Sequence, residues 1–284
     1  MINRAKQTGA TRRGIRHTRC LGVVTGIAVA MWMVARPAPA NAHEFWLEAI
    51  TYRPAIGETV PIVQRAGTEF AGESYPYLSE DTQRFAVIDS GGEHAITSVE
   101  GDDPAAEVTF TRPGLARLVY VGAVNEVAFE TFAKFEESLK YEHLDHIVEV
   151  HKAANKPVAA IKERYVRCAK ALIAVGRAEG RDVPIGLPLE LVADTNPYQL
   201  KPGEPMAIRL LLDGKPAAGV TVKIFGHDKP SDPLRAVTDQ AGRIAVVLPL
   251  SGEYMVHAVH MREPRPGEAG DWFSLWASLT FVRP

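Results

Sequence analysis

The chain has 284 residues, 46% hydrophobic and 23% charged, with a formal charge of −2 at neutral pH. That length allows one large core or two smaller ones, the composition excludes a disordered chain, and the absence of a basic excess argues against nucleic acid as a partner.

Residues 1–42 differ from the rest. Arg4, Lys6, Arg12, Arg13, Arg16 and Arg19 precede an apolar run from Cys20 to Val34 that contains no acid, which is the order of a secretory signal. The run is about 15 residues, short of the ~20 that a spanning helix needs, and Ala40-Asn41-Ala42 supplies a small-x-small cleavage site. The expectation is a signal peptide over 1–42, a periplasmic destination and no membrane span after its removal. Arg12-Arg13 keeps a twin-arginine route open beside the general secretory one. Cleavage after Ala42 makes His43 the first residue and removes seven of the 32 Lys+Arg and none of the 34 Asp+Glu, leaving a formal charge of −9, which tolerates cations. Cys20 falls in the signal, at the start of the apolar run and not after it as a lipoprotein cysteine would. Cys168 is then the one mature cysteine, so no intramolecular disulfide can form.

From Phe45 to about Phe132, segments such as "FWLEAITYRP", "ETVPIVQRAG", "QRFAVIDSGG", "AEVTFTRPG" and "ARLVYVGA" alternate in polarity between Gly/Pro turns, the pattern of an antiparallel sandwich. From Phe132 to about Ala154 and from Ile161 to Gly176 the alternation disappears and Ala, Glu, Lys and Leu accumulate, which predicts two helices. Ile161, Tyr165, Cys168, Ala169 and Leu172 then recur at helical spacing, so Cys168 is expected in a core. After a seam at Val183–Pro188 the strand pattern returns to the end of the chain, with Asp213-Gly214 and "TDQAGR" as turns. The fold expected is mainly β: two antiparallel Ig-like β-sandwich domains, over 43–135 and 183–284, with a helical segment over 136–182 between them.

The mature chain holds eight histidines. A free His43 would offer its α-amine and ring Nδ1 as a chelate to one metal, and a second imidazole would complete an N₃ site suited to Cu, Ni or Co. His257 and His260 in "GEYMVHAVHM" are the candidates for that imidazole. Three apart on a regular strand they face opposite sides, so one ligand is expected from the pair unless a bulge intervenes. His260, at the strand end beside a polar loop, is ranked first. In "YEHLDHIVEVH", Glu142, His146 and Glu149 would share one helix face with His143 nearby and could bind a divalent ion, although an exposed, solvated helix face is the more common reason for such a pattern. Trp46, Trp272 and Trp276 are read as core in preference to a sugar platform. No HExxH, CxxC, GxSxG or GxxxxGK[ST] motif is present.

The ordered segments "AHEFWLE", "GESYPYL", "FAKFEESLK", "ERYVRCAKAL", "GLPLELVADTNPYQL", "LLLDGKPAAGVTV", "TDQAGR" and "WFSLWASLTF" resemble the bacterial exported family known as domain of unknown function 4198, often labelled the periplasmic component of a cobalt or nickel transport system. The resemblance implies a periplasmic β protein whose mature chain starts with His. It also implies transition-metal handling with an inner-membrane metal transporter as partner, with His43 and His260 at the family's histidine positions. His257 and the His-rich "KYEHLDHIVEVH" depart from that pattern. Three functions compete: a metal-binding protein without catalysis, a β-sandwich module that contacts carbohydrate or protein through its tryptophans, and a copper-dependent redox enzyme.

Overall fold

The computed structural model describes residues 44–284, apart from the side chain of Pro230. The expected signal peptide and His43 lie outside the described residues. The first half of the chain folds as β1 (Glu44–Ala49), β2 (Glu58–Thr68), β3 (Ala71–Tyr75), β4 (Thr82–Asp89), β5 (Gly92–Ala95), β6 (Ala106–Phe110), β7 (Gly114–Gly122) and β8 (Asn125–Thr131). Helices α1 (Phe132–Tyr141) and α2 (Asp145–Ala153) follow, then the 17-residue strand β9 (Ala159–Val175). The second half supplies β10 (Leu189–Ala193), β11 (Pro205–Leu212), β12 (Lys215–Pro216), β13 (Thr221–Gly226), β14 (Lys229–Val237), β15 (Arg243–Val247), β16 (Gly252–Arg262) and β17 (Trp272–Arg283).

The mainly β class and the helices between two β halves are as the sequence predicts. β2 pairs with β1, β3 and β6 in one four-stranded antiparallel sheet, and β11 pairs with β10, β12 and β15 in a second. The third sheet has nine strands in the order β14-β13-β16-β17-β9-β7-β4-β5, with β8 also on β9, so it draws on both halves of the chain. Its pairings are antiparallel except one: β17 runs parallel to β9, from Trp272 beside Glu163 to Thr280 beside Ala171. One continuous apolar core takes residues from all three sheets. A second core joins Phe135 and Leu139 of α1 and Ile147 and Val148 of α2 to Ile161, Val259, Met261 and Trp272 of the nine-stranded sheet.

The helix predicted over Ile161–Gly176 is overturned: that segment is β9. Residues 168–175 are all buried, so a strand covered on every side shows no polarity alternation, and its Ala, Leu and Lys content imitates a helix. Cys168 is in the core as expected, but by strand packing, and burial pushes its thiol up to about 12. The Asp213-Gly214 turn is as predicted. Both residues have positive φ (49° and 75°), joining β11 to β12 as a type I′ hairpin.

The segment Val183–Pro188, where the sequence suggests a seam, is clipped down by buried charge. Lys170 Nζ lies 2.8 Å from Asp182 Oδ2 and 3.2 Å from Glu190 Oε1, while Arg117 Nε donates to Asp182 Oδ1 at 2.8 Å. The Glu190 carboxylate also accepts the N–H groups of Ile185, Gly186 and Leu187, and Asp182 accepts that of Ala193. Removing one partner of such a group strands the other charges. Asp182→Ala should therefore cost about 3–5 kcal/mol in urea unfolding, and a loss below about 1 kcal/mol, the scale of an exposed pair, would contradict this account.

Candidate metal centre

Strand alternation builds the centre. On β1, Phe45, Leu47 and Ala49 enter the main core, leaving Glu44 and Trp46 on the other face. On β13, Val222 and Ile224 face that core, and on β16, Tyr254, Val256 and Ala258 do. Lys223 and His257 therefore lie on the remaining faces, directly opposite each other in the register. His257 shares its face with Val259 and Met261, on which the helices pack.

The fourth residue comes from the end of α1. Thr131 caps the helix start by accepting the Lys134 N–H. At the far end His143 has φ 57°, its N–H bonds to Lys140 O, and the Leu144 N–H reaches back to Leu139 O. This is a Schellman-type stop with His where Gly is usual. The chain turns there, so Glu142, predicted to share a helix face with His146 and Glu149, instead points inward and is buried, while His143, His146 and Glu149 are exposed.

Lys223 Nζ is 2.9 Å from Glu142 Oε2 and 3.2 Å from Glu44 Oε1, and His257 Nε2 is 3.3 Å from Glu142 Oε2. Glu44 also accepts the Tyr141 hydroxyl at 3.0 Å and the Glu69 N–H at 2.9 Å. Burial first, then the Glu44 charge, push the Tyr141 phenol upward, so it remains a donor. Glu44, Glu142 and His257 offer ligand atoms within 4.8 Å of one another, all buried. His257 Nε2 faces Glu142, and Nδ1 has no hydrogen-bond partner among the described residues. Two carboxylates and an imidazole buried this close together are a donor set that fits a divalent transition metal.

A strained turn sets Glu44. The two-residue loop between β2 and β3 is Glu69-Phe70, with φ of 56° and 59°. It is another type I′ turn, here made without the Asn or Gly that such a turn prefers. Phe70 is buried against Trp46, with ring centroids 5.3 Å apart, in a small cluster with Phe225 and Met255. That packing holds the turn in place and aims the Glu69 amide at Glu44.

Among the histidines singled out in the sequence, His257 is in this group. His260 is not: the β16–β17 register is unbroken, so His260 lies on the opposite face, that of Val256 and Ala258. His151 is satisfied structurally, accepting from Trp272 Nε1 at 3.0 Å and lying 2.9 Å from Pro157 O through Nε2. Trp46 and Trp272 are core and Trp276 is half-buried. Glu142 entered the sequence reading only beside His146 and Glu149, and Glu44 and Lys223 escaped it. Their one local signal was a charged residue on the face of a strand that otherwise reads as buried.

Fold and geometry together define a mainly β protein with a buried carboxylate, lysine and imidazole group where sheet meets helix. The profile described as Domain of unknown function (DUF4198) matches residues 40–262, and the chain belongs to that family. No curated protein matches the chain. Among solved structures, the chain is similar to the tetra-tandem repeat in the extending region of a large adhesion protein, at 12% identity and a TM-score of 0.22 over 85% of this chain and 49% of that one. The chain thus spans about half the length of that structure. It is also similar to the D0-D1 domain of intimin, at 12% identity and a TM-score of 0.20 over 84% and 97% of the two chains. Scores this low carry no argument about function.

Two outcomes follow from the geometry. Glu69→Asn, which tolerates positive φ, should stabilise the protein by about 0.5–1 kcal/mol, read from the urea midpoint; a fall in midpoint would show the turn to be unstrained. Burial, then Arg262, lower the His260 pKa from its ordinary 6.5. As pH falls through about 6.5 the unfolded chain therefore takes up this proton before the folded one, and stability is lost in that window. His260→Asn should flatten the change in unfolding free energy between about pH 7.5 and 5.5, and an unchanged slope would refute the assignment.

Proposed function

We propose that the protein is exported to the periplasm and there binds a divalent transition metal, Ni, Co or Cu, for capture or delivery to an uptake system, catalysing no reaction itself. The observation that carries this reading is His257. Its imidazole is buried beside Glu44 and Glu142, with one ligand atom from each of the three within 4.8 Å of one another. Glu44 is covalently joined to His43, the residue whose amine and ring would supply two further nitrogens once residues 1–42 are removed.

An amine and two imidazoles are donors of the softness that Ni, Co and Cu select, and Glu142 and Glu44 add negative charge. The amine titrates near pH ~8, so binding at neutral pH releases about one proton. His257 takes the place in this reading that the sequence gave first to His260.

Intact-mass measurement of the exported protein should show a chain beginning at His43. Titration with Cu(II), Ni(II) and Co(II) should then show that one extra residue before His43 weakens binding by about tenfold or more, or about 1.4 kcal/mol. A mass that begins elsewhere, or equal affinity in the two forms, removes the amine from the site.

A further inference from the structure

Lys223 already acts as a cation in this group. Its ammonium lies against one oxygen each of Glu44 and Glu142, within a cluster whose ligand atoms are all within 4.8 Å of one another. An ion held by the Glu44 and Glu142 oxygens lies a few ångström from Nζ, on the Nε2 side of the His257 ring, and a divalent ion repels the ammonium twice as strongly as a unit charge would. Ion and ammonium therefore compete for the same oxygens.

The other side of Lys223 offers an alternative position. Nζ sits 4.0 Å from the centroid of the Tyr141 ring and 5.6 Å from that of Phe225, distances at which aromatic faces attract a cation. Tyr141, Phe225 and Lys223 line a cavity of about 240 Å³ together with the Glu69 carboxylate. Lys140 and Arg235 also line it, but both are exposed, where solvent screens their repulsion. Lys170, the other buried lysine between two carboxylates, differs: its acids are locked by Arg117 and by four backbone N–H groups.

We propose that Lys223 is the resting occupant of the centre, displaced toward Tyr141, Phe225 and Glu69 when a metal binds, and that this competition decides which ions the centre accepts. The inference rests on the metal-binding reading above. Mg²⁺ and Ca²⁺ gain only the two carboxylates that the ammonium already pairs with, whereas Ni²⁺, Co²⁺ and Cu²⁺ also gain imidazole nitrogen. Only the second class dislodges the lysine.

Acetylation of lysines in the mature full-length protein, read by mass spectrometry, tests this without a mutation. Lys223 and Lys170 are 3% and 1% exposed, so both start protected. Ni(II) or Cu(II) should raise the Lys223 labelling rate about fivefold or more, as a local opening does, with Lys170 unchanged and Mg(II) or Ca(II) without effect. In parallel, Lys223→Met should bind Ni(II) about tenfold or more tightly than the wild type and gain affinity for Mg(II). Ni(II) binding by the wild type with Lys223 still protected overturns the displacement and leaves the metal-binding reading standing. Labelling that rises at Lys170 as well reports general loosening and also overturns it. Binding by Lys223→Met alone supports the blocking lysine and refutes metal binding by the wild type, and no binding by either form removes both. If Lys223→Met does not fold, labelling of the wild type decides.

Discussion

The parallel pairing of β9 with β17 is the constraint on which the rest of the molecule depends. Parallel neighbours cannot be joined by a short turn, and here the crossover is the whole second half of the chain, from residue 176 to residue 271. β17 lies on one edge of β9, while β7 and β8 share the other, so this one register makes a single sheet from strands of both halves. β16 and β13 follow β17 outward, which puts His257 and Lys223 on adjoining strands. β1 packs across β9 and β17 and delivers Glu44, and α1 packs against the same sheet and delivers Glu142. Four residues spread between positions 44 and 257 meet because of one strand pair.

Much of the fold was legible in the sequence because most strands have one covered face. β6 is the plain case: Ala106, Val108 and Phe110 are buried, and Glu107 and Thr109 are exposed between them. β9 was illegible for the opposite reason, since residues 168–175 are buried without a break and nothing alternates. Of the centre, a histidine on the last-but-one strand was visible, but the choice between His257 and His260 depends on which face of β16 meets the helices, a tertiary fact. Glu142 was visible only as one of several helix acids, because the left-handed turn at His143 that directs it inward carries no glycine to announce it. Lys223 resembles any solvated strand residue until β13 is placed beside β16.

Two lysines are buried between pairs of carboxylates, and the comparison separates scaffold from function. Around Lys170 the carboxylates also accept backbone amides and an arginine, so desolvation is compensated and the group serves as a fastener. Around Lys223 the partners are a histidine with an open nitrogen, a tyrosine hydroxyl and an amide held by a strained turn. Strain and an incompletely satisfied polar atom at one spot are what functional sites accumulate.

The wide sheet ends in β14 on one side and β5 on the other. β14 carries Pro230 and Pro233, each without an N–H to offer a new neighbour. β5 is four residues long, fully exposed, and contains Glu93 and His94. Both margins therefore resist the addition of another strand. These two margins offer a second molecule a poor template for fibre growth or β-augmentation.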